Sequence, residues 1–124
     1  MKRIFLGAAL AVLAAAPAFA DDPMANTYAN TVVATNADGT VPKSHYTADK
    51  TYETTGQDGA TSKGTWELTE GDTKICITPT EPPPAPDAKL PLCAPFLGAR
   101  NPGDKWEQAG FDGQNVSVEL VAGR

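Results

Sequence analysis

Few residues in this sequence could carry out acid–base or nucleophilic chemistry. His45 is the only histidine, so a Ser-His-Asp arrangement would have a single candidate base. No serine lies in a turn that resembles a nucleophile elbow, and the sequence contains no glycine-rich phosphate-binding loop. We therefore expect no catalytic residues and a protein that is not an enzyme.

The carboxylates follow a pattern that is typical of turns. Asp38, Asp58 and Asp112 each precede a glycine, and Asp-Gly pairs tolerate the positive φ that tight hairpins require. Glu70 and Asp72 could hold a cation loosely, but we favour a solvated acidic turn. Metal sites usually need several clustered His, Cys, Asp or Glu ligands, so the sequence predicts neither a metal nor another cofactor.

The two cysteines indicate a covalent cross-link in the fold. We expect a structural disulfide between Cys76 and Cys93, because an oxidising compartment favours the pairing of two cysteines in an exported chain. A redox-active or nucleophilic cysteine and a metal-binding pair are the alternatives, but there is no Cys-x-x-Cys spacing. The bond would close a loop of 17 residues. A disulfide that closes a loop of about this length stabilises the folded state by about 3 kcal/mol.

The N-terminus predicts export. Lys2 and Arg3 precede an apolar run over 4–16, and Ala18-Phe19-Ala20 has the small-x-small pattern that signal peptidase cleaves. We therefore predict a signal peptide over 1–20, cleaved after Ala20, and a periplasmic or secreted protein with no membrane anchor after cleavage.

Charge limits the partners of the predicted mature chain. The full chain has 10 basic and 15 acidic residues, and removing Lys2 and Arg3 leaves 8 basic residues and a net charge of −7. A surface of that sign repels phosphate backbones and anionic lipids, so we expect neither nucleic acid nor a membrane surface as a partner.

The remaining sequence predicts one all-β domain. We expect a flexible lead-in over 21–26 with little to bury, then a single β domain over 27–124 with a proline-rich loop over 79–92. A rigid connector is the interpretation we favour for that loop, and a proline-rich recognition motif is the alternative. Alternating patterns predict strands at 27–35, 40–47, 51–55, 62–69, 73–78, 105–109 and 115–121, and a further short strand is open near 96–98.

These strands predict a small antiparallel up-and-down meander of seven to eight short strands, either a closed barrel or a flattened sandwich. In the strand over 62–69, Gly64, Trp66 and Leu68 share one face. Because the chain is poor in Leu, Ile, Val and Phe, we expect a filled interior and no roomy cavity.

Several landmarks occur in order along the chain: Asn36 to Thr40, Tyr52, Gly64 to Trp66, Cys76, Cys93, Asp112 with Gly113, and a Val-rich last strand. This order resembles that of small exported β-proteins of sphingomonad-type alphaproteobacteria. The resemblance covers most of the predicted mature chain and implies no particular activity.

A shorter series consists of Gly64-Thr-Trp66-Glu-Leu68, Cys76, Cys93, Trp106 and Asp112-Gly113. It is similar to the Gly-x-Trp-x-Leu, Cys, Cys, Trp and Asp-Gly landmarks of bacterial inhibitors of secreted metalloproteases. That resemblance implies a periplasmic eight-stranded barrel with one disulfide and a mobile N-terminal segment that enters the protease cleft. Predicted strands precede Gly64 here, whereas that strand opens the barrel in the family, so we assign no inhibitory residues.

Two functional hypotheses follow. The first is a non-catalytic envelope protein that binds another protein or a small ligand through a sheet face, with exposed Tyr28, Tyr46 or Trp106 as candidate contacts. These aromatics could instead belong to the core. The second hypothesis is a protease inhibitor of the small β-barrel type.

Overall fold

The structure is a computed structural model that describes residues 22–124. The predicted signal peptide, 1–20, and its cleavage site after Ala20 lie outside the described residues. One short helix and eight strands follow in chain order: α1 (Ala25–Tyr28), β1 (Thr31–Thr35), β2 (Lys43–Tyr46), β3 (Thr51–Thr55), β4 (Thr61–Thr69), β5 (Lys74–Glu81), β6 (Leu92–Pro95), β7 (Lys105–Ala109) and β8 (Asn115–Val121).

The strands form one antiparallel sheet in the order β6-β5-β4-β3-β2-β1-β8-β7. Strands that follow one another along the chain are neighbours in this order, except β6 and β7, which lie at its two ends. These two end strands lie close together, and Gln108 Nε2 on β7 donates a hydrogen bond of 2.9 Å to Pro95 O on β6. The sheet is thus a nearly closed up-and-down barrel, and the predicted all-β meander is confirmed. We refer to the line between β6 and β7 as the seam.

The start of the domain differs from the prediction. A helical turn holds the chain before β1: Thr27 N–H donates to Met24 O at 2.9 Å, and β1 begins at Thr31 instead of residue 27. Met24 is only 2% exposed and belongs to the core. The expectation that the lead-in has little to bury is therefore wrong at Met24, whose flexible apolar side chain fills space at one end of the barrel.

The predicted Asp-Gly turns are confirmed. Asp38, Asp58 and Asp112 each accept, through Oδ1, a hydrogen bond of 3.0 Å from the backbone N–H two residues later. The glycines that follow them have φ of 89°, 85° and 84°, a conformation that costs other residues more. These aspartates therefore act as turn residues.

Trp66 on β4 is the centre of the core and is 3% exposed. Its ring meets that of Tyr46 edge-on, with centroids 6.1 Å apart, and the ring of Tyr28 lies at the same distance on another side. The indole N–H donates to Thr47 O at 3.0 Å, so the one polar atom of this buried side chain is satisfied.

The predicted disulfide is also confirmed. Cys76 on β5 and Cys93 on β6 are directly opposed in the strand register and are bonded to each other. Cys76 alternates with the inward-facing Ile75 and Ile77, so the bond lies on the outer face of the barrel. It fastens β6, one of the two strands at the seam, to the rest of the sheet.

Candidate ligand-binding cavity

The barrel interior contains a cavity of about 500 Å³ that is partly open to solvent. It extends from Tyr46 and Tyr52 to the hairpin turns at the opposite end of the barrel, where Asn36 and Asp112 line it. The expectation of a filled interior is therefore wrong. The number of large apolar residues was a poor guide, because it does not show how they are distributed along the strands.

The cavity results from the size of neighbouring inward-facing side chains. On β2 the inward positions are Ser44 and Tyr46, and on β3 they are Thr54 and Tyr52. The register pairs Tyr46 with Tyr52 and Ser44 with Thr54, so large residues gather at one level and small ones at another. We call the level of Tyr46 and Tyr52, next to α1, the filled end, and the level of Ser44 and Thr54 the hollow end.

The polar groups on these strands are largely satisfied within the wall. Ser44 Oγ and Thr54 Oγ1 lie 2.7 Å apart and share a hydrogen bond. The opposite wall is apolar and is formed by Ile75, Ile77, Leu92, Ala94, Val116 and Val118. An interior that is mostly apolar with a few placed polar groups is typical of a small-molecule site.

The seam supplies the most polar part of the cavity wall. Trp106 Nε1 donates to Gln108 Oε1 at 2.6 Å, and Gln108 Nε2 donates across the seam to Pro95 O. The guanidinium carbon of Arg100, on the loop between β6 and β7, lies 4.3 Å from the centre of the Trp106 ring. Arg100, Trp106 and Gln108 all line the cavity.

The three aromatics predicted as exposed contacts have different positions. Tyr46 is 6% exposed and belongs to the core, which was the alternative for these aromatics, and its ring also borders the cavity. Trp106 is half-buried on the cavity wall. Tyr28 packs outside the cavity on Trp66, and its hydroxyl donates to Asp22 Oδ2 at 3.0 Å. The structure thus brings Tyr46 and Trp106 to one cavity and leaves Tyr28 apart.

The titratable groups show which ionisations the fold favours. Burial raises the pKa of Tyr28 to about 12, and the hydrogen bond to Asp22 and its charge act in the same direction. Burial also raises the pKa of Tyr46, with a smaller contribution from Tyr52. Hydrogen bonds from Thr40 lower the pKa of Asp38. All of these shifts move away from neutral pH, whereas acid–base catalysts usually have pKa values shifted towards it.

His45 forms a structural hydrogen bond. Its Nε2 lies 3.0 Å from Thr31 Oγ1, and the Thr31 hydroxyl donates to Gly123 O at 2.7 Å. A hydroxyl has one proton to donate, so Nε2 carries the hydrogen and donates to Thr31. With that tautomer the imidazole does not accept the proton of this hydroxyl. Within residues 22–124 there is also no group of three or more His, Cys, Asp or Glu residues that could hold a metal ion.

Sequence reasoning missed the cavity and two polar residues on its wall, Arg100 and Gln108. The cavity does have a sequence signal, which is the run of small residues at inward positions of four consecutive strands: Ala34, Ser44, Thr54 and Ser62. Arg100 lies in a loop without periodicity, so no pattern shows that it faces inwards.

Comparison with known families, curated proteins and solved structures finds no match for this chain. No helix within the described part of the chain is long and apolar enough to cross a membrane.

Proposed function

We propose that this protein is a non-catalytic binding protein of the cell envelope that holds a small, mainly apolar molecule inside its barrel. The observation that supports this proposal is the cavity of about 500 Å³. Ligand sites generally have volumes of about 300–1,000 Å³ and apolar walls with a few polar groups. The sequence-based hypothesis placed a ligand on a sheet face, but the cavity favours the barrel interior.

The energetics support the same proposal. A well-packed core has few voids larger than a water molecule, because each one sacrifices dispersion contacts and apolar burial. A cavity of this size costs stability in a small domain, and binding an apolar molecule would recover those contacts. The predicted signal peptide and the disulfide support a location in the periplasm or outside the cell.

The test uses an uncharged fluorescent probe, N-phenyl-1-naphthylamine, with the purified mature protein. We expect binding with enhanced emission in wild type, and an affinity at least about tenfold lower in Ala34→Phe, because the new ring occupies the cavity. Ala109→Phe is the matched control, since Ala109 follows the inward-facing Gln108 on β7 and therefore faces outwards. Absence of probe binding, or equal binding by both variants, would contradict the proposal.

The protease inhibitor is a second proposal, based on the landmark resemblance alone. Incubation with a panel of secreted proteases tests it separately. Suppose that wild type inhibits a protease at micromolar concentrations and Ala34→Phe inhibits it equally well. That result would favour the inhibitor over the small-molecule binding protein, because an inhibitor does not need the interior of its barrel to be open.

A further inference from the structure

Arg100 is the only Lys or Arg among the described residues that line the cavity. The only acidic side chain on the same wall is Asp112, at the hollow end, and its Oδ1 accepts a hydrogen bond in the turn between β7 and β8. Arg100 instead lies on the loop between β6 and β7, beside α1. A single cation next to a mostly apolar interior is costly unless something neutralises it.

Two contacts hold Arg100 in position. Asn26 Nδ2, on α1, donates to the backbone carbonyl of Arg100 at 2.9 Å. The guanidinium stacks on Trp106, with 4.3 Å between its carbon atom and the ring centre, and Gln108 fixes the indole in turn. The guanidinium plane is therefore oriented before any ligand arrives, which lowers the entropic cost of binding.

The hydrogen bonding of Arg100 is incomplete. Its Nε is buried and has no hydrogen-bond partner among residues 22–124. The salt bridges in this part of the chain join Lys63 to Glu53 and Lys74 to Glu70, and none involves Arg100. Buried donors without partners are rare in native proteins, and each costs about 1–3 kcal/mol. This Nε is covered by its surroundings, so a ligand would meet the guanidinium at its Nη atoms.

We propose that the ligand is an amphiphile with one carboxylate, whose two oxygens accept hydrogen bonds from the two Nη atoms of Arg100. Its apolar body lies along the wall formed by Ile75, Ile77 and Leu92. The planar fork of a guanidinium matches a carboxylate in this bidentate geometry. One cation balances one negative charge, whereas a dianionic phosphate would leave excess charge in an apolar site. This inference deepens the proposed function and depends on it.

The test compares dodecanoate, dodecan-1-ol and dodecyl phosphate as competitors of N-phenyl-1-naphthylamine. In wild type we expect dodecanoate to bind about 10- to 100-fold more tightly than dodecan-1-ol, since hydrogen bonds to charged groups contribute about 1.5–3 kcal/mol. Arg100→Gln should abolish the preference for dodecanoate, so that the ratio of its affinity to that of dodecan-1-ol falls to about one. Arg124→Gln, at an exposed position, is the matched control and should change neither.

Far-ultraviolet circular dichroism will show whether Arg100→Gln is folded. Arg100→Lys is a second variant that keeps the charge without the fork, and it should lose part of the preference for dodecanoate. The comparison of dodecanoate with dodecan-1-ol in wild type does not depend on the folding of any variant. Equal affinities for dodecanoate and dodecan-1-ol in wild type, or tighter binding of dodecyl phosphate, would overturn the carboxylate inference. The proposed cavity would still hold in that case if the probe binds wild type and binds Ala34→Phe more weakly. If no probe or competitor binds, both proposals are wrong.

Discussion

The filled end and the hollow end of the barrel are built from the same strands, yet one is a core and the other a cavity. On β4, Trp66 fills the first and Ser62 borders the second, four residues apart on the same face. On β3 the corresponding residues are Tyr52 and Thr54. The pairing of β4 with β5 shifts by one residue between Lys63 and Gly64, and the inward side chains differ in size at the two levels.

This contrast indicates how a small domain can combine stability with a binding site. Each buried aromatic side chain removes about 150–250 Å² from water, and Tyr46, Tyr52 and Trp66 concentrate that burial at the filled end. At the hollow end the inward positions of β1 to β4 hold small residues: Ala34, Ser44, Thr54 and Ser62. The filled end therefore stabilises the scaffold, and the hollow end leaves room for the apolar body of the proposed ligand.

The largest effect is expected from Trp66→Ala, which breaks the filled end. It should lower the free energy of unfolding by about 3–5 kcal/mol, because it leaves a large cavity and removes the indole hydrogen bond to Thr47 O. Trp106→Ala is the matched variant at the seam, where the ring is half-buried, and should cost about 0.5–3 kcal/mol. Urea unfolding followed by far-ultraviolet circular dichroism measures both. Equal losses would show that the filled end contributes no more to stability than the seam.

Removing the disulfide is the second test and affects the wall beside the seam. The double substitution Cys76→Ala and Cys93→Ala should lower the free energy of unfolding by about 3 kcal/mol, because the unfolded chain gains conformational freedom. Probe binding should also weaken, since Leu92 and Ala94 of β6 line the cavity. Reduced wild-type protein serves as the control and should behave like the double variant. An unchanged urea midpoint in both would contradict this account.

The sequence was informative where local rules decide the structure. The strand over 51–55 and those over 105–109 and 115–121 have the predicted bounds, because alternation and Asp-Gly turns determine them locally. The disulfide followed from the number of cysteines and the expected compartment. The helix α1 was missed, because four residues are too few to show a helical period and Met24 is buried by tertiary contacts.

The candidate site was harder to predict, since it depends on which residues share a level of the closed barrel. The pairing of Ser44 with Thr54 and of Tyr46 with Tyr52 requires the register, which one sequence does not specify. The position of Arg100 over Trp106 arises from the path of a loop. Local patterns contain no information on such a contact.

The smallest expected effect concerns the pH dependence of the filled end and uses Tyr46→Phe. Burial raises the pKa of Tyr46 above that of an unfolded tyrosine, about 10, so the folded state favours the neutral phenol. The stabilisation is complete below that pH and is lost as the pH rises from about 10 towards the folded pKa, at no more than about 1.4 kcal/mol per pH unit.

Urea midpoints of wild type and Tyr46→Phe at about pH 9 and pH 11 should therefore coincide at the lower pH and diverge at the higher one, with the variant more stable. Tyr28→Phe should diverge from wild type in the same direction, because the pKa of Tyr28 is also raised, to about 12. Parallel losses in wild type and Tyr46→Phe would mean that Tyr46 ionises without disturbing the filled end.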